Sequence, residues 1–340
     1  MTAYTPSSRV ASVRDALRRQ VGSGILHGGA RFLSAREIAR RYGVSYQTAD
    51  RLLTELTESG RLVRRPRSGT YLPGFRDDLV GPVAVLPRAE YPAGSFGERL
   101  RRCLREALFA EERPSEVVDR SDGAGLPDDR LPVVWDAPGV RRACRRGGRR
   151  AVLVHDVPRP DDTHLFDAVS IDNQAGGFIA AETIRKLLGR RAGVAVLAGP
   201  KADPRSVARV EGFTRVWPRA TVLHAGGWSA RHGRRRSAAL EGLGVDGLFC
   251  VNDRLAQGVI VTLRERRAAQ PLIIGFDNAP IADELELTTV AIPWRTMTGE
   301  VRAAVQRRLA EPDAPARRVE VVPRLRLRRV DSPAARRSTP

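Results

Sequence analysis

The chain has 340 residues, 42% hydrophobic and 29% charged: enough for two or three globular units with buried cores, and too apolar for general disorder. Charges interrupt every long apolar run, which excludes a membrane span; residues 1–19 lack a secretory core, and Cys103, Cys144 and Cys250 form no CxxC pair, so a reducing cytosol is expected. Formal net charge is +19, all but two of the 58 basic residues are arginine, and residues 1–75 alone carry net +8, so a polyanion is expected to meet that segment.

Val10, Val13, Leu17 and Val21 form a helical stripe, with Ser7 or Ser8 as N-cap and Gly22 and Gly24 as stop. Ser34-Ala35-Arg36-Glu37 is a capping box, in which Ser34 and Glu37 each satisfy the other's free backbone N–H. Ile38, Ala39 and Tyr42 supply the inner face of that helix, and Gly43 ends it. Only Val44 separates Gly43 from Ser45, a second N-cap, after which Ala49, Leu52, Leu53 and Leu56 predict another helix ending at Gly60. Two short helices so joined read as a helix-turn-helix. Residues 62–65, a turn at Pro66-Arg67-Ser68-Gly69 and residues 70–72 predict a hairpin with an arginine-studded tip, and the whole reads as a winged helix.

Beyond residue 78 the pattern changes. Residues 83–86 predict a strand and 96–110 a long amphipathic helix. Further strands are predicted at 151–154, 169–171, 194–197, 247–251, 272–274 and 288–292, with helices at 177–188, 206–216, 256–266 and 297–310. The alternation points to an α/β fold with doubly wound parallel sheets. Residues 111–150, rich in Pro, Gly, Asp and Arg, give no clear element, and residues 331–340 read as a disordered basic tail.

Over residues 10–73 the run from Phe32-Leu33-Ser34-Ala35-Arg36 through Gly43-Val44-Ser45-Tyr46-Gln47-Thr48, with Ser68-Gly69-Thr70-Tyr71 in the hairpin, resembles the GntR family of winged-helix regulators. Leu33 stands where that family has proline, and Tyr46 where it has arginine. From about residue 80 to 330, the phrases Ser170-Ile171-Asp172-Asn173-Gln174, Arg209-Val210-Glu211-Gly212-Phe213, Val251-Asn252-Asp253-Arg254 and Ile274-Gly275-Phe276-Asp277-Asn278 resemble the LacI family's effector domain, which is periplasmic-binding-protein-like and two-lobed. The pairing of such a head and sensor is similar to arabinose-type repressors. The implied organisation is a DNA-binding domain at 1–75, a linker at 76–82, an effector domain at 83–330 and the tail.

The start of a recognition helix faces base edges, while side chains nearby grip phosphates. Ser45, Tyr46, Gln47 and Thr48 occupy that turn. Gln47 suits a bidentate pair with adenine and Thr48 a thymine methyl or a phosphate, leaving Tyr46 for phosphate or sugar. By resemblance Arg36 is a DNA contact, and Arg65, Arg67, Ser68 and Gly69 form a wing suited to the minor groove. The alternative is that these are solvated surface charges.

The resemblance implies effector contacts from Asp172, Arg209, Asn252 and Asp277, with stacking faces from Trp228 and Trp294 and a pocket aromatic, Phe96, in the loop after the first strand. Carboxylates and arginine suit vicinal hydroxyls, and flat rings suit the C–H face of a sugar. Alternatives stand beside each: Asp277 as a turn residue, Arg209 paired with Glu211, Trp294 in the core. Ile292 suggests a pocket less polar than that of some sugar repressors.

Catalytic patterns are missing from the sequence. Gly199-Pro200-Lys201 lacks the rest of a phosphate loop, and Gly22-Ser23-Gly24 precedes no strand-helix unit. His27, His155, His164, His224 and His232 have no metal-ligand spacing, and neither Lys186 nor Lys201 sits where a Schiff base would form. No enzyme activity, cofactor or metal is expected. The sequence therefore reads as a cytoplasmic regulator, a repressor that binds double-stranded operator DNA as a homodimer and is released by a small polar effector such as a sugar or polyol. A solute-binding protein of periplasmic type is the alternative.

Overall fold

The computed structural model describes residues 8–22, 30–65, 69–73, 79–87, 91, 93–109, 116–119, 126–127, 129–156, 165–312 and 314–328. Ser7, Gly24, His27, His164, the wing tip at 66–68, residues 76–78 of the expected linker and the expected tail lie outside them. Two compact units emerge: Met1–Ala89, Leu104–Ser170 and Thr298–Val319 form one, and Glu90–Cys103, Ile171–Met297 and Glu320–Pro340 the other.

At the start of the first unit, helices α1 (Ser8–Gly22), α2 (Ala35–Tyr42) and α3 (Tyr46–Glu58) precede strands β1 (Val63–Arg65) and β2 (Gly69–Tyr71). The apolar positions picked out by periodicity converge: Val10, Val13, Leu17, Ile38, Ala49, Leu52, Leu53, Leu56, Leu62 and Leu72 share one buried cluster. Burying each large side chain contributes roughly 1.5–3 kcal/mol, which holds three short helices that would be marginal alone. β1 and β2 pair antiparallel, Val63 opposite Tyr71 and Arg65 opposite Gly69. Residues 30–32 pair alongside β2, the Phe32 N–H donating to Thr70 O at 2.8 Å and the Leu72 N–H to Ala30 O at 2.8 Å. Sequence pattern did not predict this third element.

Next in the chain come β3 (Gly81–Leu86), α4 (Phe96–Leu108), β4 (Glu116–Asp119), β5 (Arg130–Val134), α5 (Pro138–Arg146), β6 (Ala151–Val154) and β7 (Phe166–Ile171). They are followed by α6 (Asn173–Leu188), β8 (Val194–Ala198), α7 (Pro204–Thr214), β9 (Thr221–His224), α8 (Ala230–Leu243), β10 (Gly247–Cys250), α9 (Asp253–Glu265), β11 (Leu272–Asp277) and α10 (Pro280–Glu284). The chain closes through β12 (Thr289–Ala291), α11 (Trp294–Ala310), β13 (Arg318–Val321) and β14 (Arg324–Arg326).

One six-stranded sheet runs β13-β7-β6-β5-β3-β4, the other β14-β12-β11-β10-β8-β9. Within each, five consecutive strands pair parallel in the order second, first, third, fourth, fifth, the doubly wound arrangement. The expected fold class is thus observed: a winged helix-turn-helix and two parallel-dominated sheets with helices.

In the first unit, Arg308 on α11 is wholly buried against Asp167 on β7, its Nε donating to Asp167 Oδ2 at 2.7 Å and its Nη1 to Pro312 O and Ala314 O. The other Asp167 oxygen accepts from Arg307 Nη1 at 3.2 Å and Arg317 N at 2.7 Å. In the second unit, α6 and α7 touch through Gly177 and Gly212, where a Cβ would collide with the Arg209 and Gln174 carbonyl groups respectively.

Candidate functional site

The head carries its recognition turn on two caps. Ser34 Oγ accepts from Glu37 N at 3.3 Å and Glu37 Oε2 accepts from Ser34 N at 2.6 Å, so the capping box is present. Hydrogen bonds from Ser34 hold the Glu37 carboxyl below the ordinary range. Gly43 takes φ 60°, a left-handed turn that glycine adopts without strain, and Ser45 then caps α3 by accepting from Thr48 N at 3.1 Å. The Ser45 and Thr48 hydroxyls also bond each other at 2.9 Å, so both first serve the turn. Arg36, Tyr46 and Gln47 are exposed; Tyr46, at 56%, is unusually so for an aromatic. Arg64 Nη2 pairs with Asp50 Oδ1 at 2.5 Å and ties the wing strand to α3. Gly69 lies on β2 at φ 131°. Arg67 and Ser68, and the side chain of Arg65, lie outside the described residues.

In the second unit the residues named for the effector gather where parallel strands end, the edge at which open α/β sheets bind ligands. Asp277 is the last residue of β11, Arg209 lies in α7 after β8, Trp228 follows β9, Asn252 follows β10, and Trp294 opens α11 after β12. Phe96 is the first residue of α4 and not in a loop, because Ser95 already caps that helix, its Oγ accepting from Glu98 N at 3.2 Å. Its ring lies 5.4 Å from that of Trp294.

Arg209 is 3% exposed. Its Nε donates to Asn173 Oδ1 at 2.8 Å, its Nη1 to Val251 O at 2.5 Å, and its guanidinium carbon sits 3.6 Å over the Phe276 ring and 5.9 Å over Trp228. Glu211 is not its partner; that carboxylate accepts from Gln174 Nε2 at 2.8 Å. Arg209 Nη1 instead faces Asp277 Oδ1 at 3.5 Å, a buried atom that accepts no hydrogen bond from the described residues. Asp277 has φ 105° and Asn278 φ 52°, so the backbone is strained where this carboxylate is aimed.

Asn252 and Asp172 are drawn into scaffolding. Asn252 Oδ1 caps α9 by accepting from Leu255 N at 2.8 Å, and its Nδ2 donates to Trp228 O at 2.9 Å, which fixes the Trp228 loop. Asp172 Oδ1 caps α6 by accepting from Ala175 N at 2.8 Å. The Trp228 ring leans on Gly199, where a Cβ would stand 2.9 Å from it.

Three neighbouring groups escaped sequence reasoning. Asp203 binds Arg205 at 2.6 and 3.0 Å and caps α7, and the Arg205 guanidinium lies 5.8 Å over Trp228. Asp253 is wholly buried, accepting from Thr289 Oγ1 and from Ala279 N, each at 2.7 Å. Arg99, in the first turn of α4, places its guanidinium carbon 5.3 Å over Trp294 and donates to Asn278 O.

Burial dominates the electrostatics. It pushes Arg209 down to about 10, still charged at neutral pH, against the opposing pull of Asp277. Burial also raises the Asp253 carboxyl, with the nearby Asp277 adding to the effect, and it raises Asp277 itself against the field of Arg209. A carboxyl whose folded value is raised stabilises the fold fully below its unfolded value near 4, and that contribution is lost as pH rises through the folded value. Thermal melts should therefore show the wild type losing ground to Asp253→Asn as pH climbs from about 4 past neutrality. A melting-point difference that stays constant across that range would contradict the assignment.

Among the described residues no group of three His, Cys, Asp or Glu is arranged to hold a metal, and no helix is long and apolar enough to cross a membrane. Residues 9–72 match the model of bacterial regulatory proteins of the gntR family, and residues 134–285 that of the periplasmic binding protein domain. No curated protein sequence matches the chain significantly. Among solved structures, a transcriptional regulator CelR–cellobiose complex is 18% identical with a TM-score of 0.64, covering 95% of this chain and 99% of its own. A LacI family transcriptional regulator from Enterococcus faecium with bound ribose is 20% identical with a TM-score of 0.62, covering 74% and 99%. The transcription regulator CcpA of Lactococcus lactis is 15% identical with a TM-score of 0.60, again covering 74% and 99%. At such identities the likeness is one of fold. The chain thus carries a GntR-type DNA-binding domain at its N-terminus and a periplasmic-binding-protein-like domain behind it, the make-up of a DNA-binding transcriptional regulator.

Proposed function

We propose that the protein is a cytoplasmic, effector-released repressor, not an enzyme, that binds operator DNA as a homodimer. Residues 1–75 serve as the head, 76–82 as the linker and 83–330 as the sensor, with 331–340 as a tail. A single head of this size reads too few base pairs to be selective in a genome, which favours two heads on a pseudo-palindrome. Arg36, Tyr46, Gln47 and Thr48 meet the major groove and its phosphates, with Ser45 holding the turn, and Arg65, Arg67, Ser68 and Gly69 meet the minor groove. The observation that carries the effector reading is Asp277 Oδ1, a buried acceptor that takes no hydrogen bond from the described residues, beside a buried guanidinium. A sugar hydroxyl would fill it, with Trp228, Trp294 and Phe96 against the C–H face. The cellobiose and ribose held by the similar regulators agree with this chemistry.

Thermal-shift screening against sugars and polyols, followed by release of bound operator, tests the reading, because a tight ligand raises the melting point. On the DNA side, Gln47→Ala should cost ~1–3 kcal/mol on the cognate site and relax preference at one base pair. Anisotropy titrations against single-base variants of the operator check this. An equal loss on every sequence would make Gln47 a backbone contact instead.

A further inference from the structure

Around Asp277 three arginines, Arg99, Arg205 and Arg209, meet three carboxylates, Asp203, Asp253 and Asp277, but their close pairings are uneven. Arg205 is neutralised by Asp203, and Arg209 faces Asp277. Both oxygens of Asp253 are occupied by Thr289 and Ala279. Arg99 is different: half-buried, it has one hydrogen bond, to the Asn278 carbonyl, and no carboxylate within ion-pair distance among the described residues. Glu98, its neighbour, lies 3.9 Å from Arg102. Burial holds Arg99 below its ordinary value, with Arg102 adding to the effect, and the more distant Asp277 and Asp253 offset this only in part. Phe96 and Trp294, the first residues of α4 and α11, also meet here, their rings 5.4 Å apart. A wholly neutral sugar would leave Arg99 without a direct ionic partner among the described residues.

We propose that the effector carries an anionic group, a carboxylate or a phosphate, beside its hydroxyls, and that Arg99 receives that group over the face of Trp294. This rests on the reading of Asp277 and Arg209 as effector contacts, and it narrows the ligand to acidic or phosphorylated sugars. The guanidinium fork matches either anion in a bidentate pair.

Calorimetry on the full chain with matched ligands tests it: glucose, glucuronate and gluconate; ribose and ribonate; and the phosphate monoesters of both sugars. An anionic member should bind about 10- to 100-fold more tightly than its neutral parent. Whether the carboxylates or the phosphates bind identifies the source of the anion. Arg99→Gln should lower affinity for the anionic member far more than for its neutral parent and so remove that advantage, and Arg99→Lys should restore part of it. Equal affinity for neutral and anionic members, or an advantage that survives in a folded Arg99→Gln, overturns the inference and leaves the sugar reading standing. Binding of no member overturns both.

Discussion

Asp277→Asn and Arg209→Ala are expected to stay on operator DNA and become deaf to effector. The Asp277 carboxylate is buried, strained at φ 105° and short of hydrogen bonds, and Arg209 is buried 3.5 Å from it. A ligand gripping both loses charge-assisted bonds when either is removed and keeps buried groups unpaired, at a cost of ~2–4 kcal/mol, or ~30- to 1000-fold in affinity. Asparagine tolerates the positive φ of position 277, so the first variant isolates the charge. Arg209→Ala additionally orphans Asn173 Oδ1 and Val251 O, so a lower melting point is expected for it. Calorimetry with the effector and anisotropy with the operator separate the two functions. Near-wild-type ligand affinity in both variants would place the effector elsewhere and leave Asp277 as a turn residue.

The largest loss of stability is expected at the buried Asp167–Arg308 pair. Arg308→Met takes the buried ionic partner from a carboxylate that is 1% exposed, leaving it, among the described residues, Arg307 Nη1 and the Arg317 N–H, and should cost ~3–5 kcal/mol. Asp167→Leu should cost a similar amount for the reciprocal reason. The double substitution should recover much of the loss, since replacing a buried ion pair by apolar groups is often neutral. Urea denaturation of the four proteins reads this directly. Single variants that lose less than ~1 kcal/mol would show that water reaches the pair.

Local chemistry decides what was legible in the sequence. Ser34, Glu37, Gly43 and Ser45 announce their structure through near neighbours, and the strand cores at 83–86, 151–154 and 194–197 announce theirs through apolar runs. Residues 111–150 gave nothing because β4 is a half-exposed edge strand and α5 begins at a proline without a side-chain cap. The predicted start of α6 fell short because Asp172, set aside as an effector contact, is its N-cap. Asp253 was hidden as the acidic first residue of α9, a common helix-start feature; its burial depends on Thr289, far along the chain. Arg99 reads as one charge among many on an amphipathic helix, and its contacts with Trp294 and the Asn278 carbonyl, both far along the chain, distinguish it. Family resemblance singled out Asp277 and Arg209 separately, and their approach to 3.5 Å depends on residues 68 apart in the chain.

The central claim, an effector-gated grip on specific DNA by the N-terminal head, is tested most directly by one titration. A binding sequence is selected from random duplex DNA with the full-length protein, and its affinity is then followed by anisotropy as the effector is added, beside a chain lacking residues 1–75. The account expects a pseudo-palindromic sequence, affinity that falls steeply with salt, release by effector, and no binding without the head. Equal binding by the truncated chain, or operator affinity indifferent to a ligand that demonstrably binds, would contradict it.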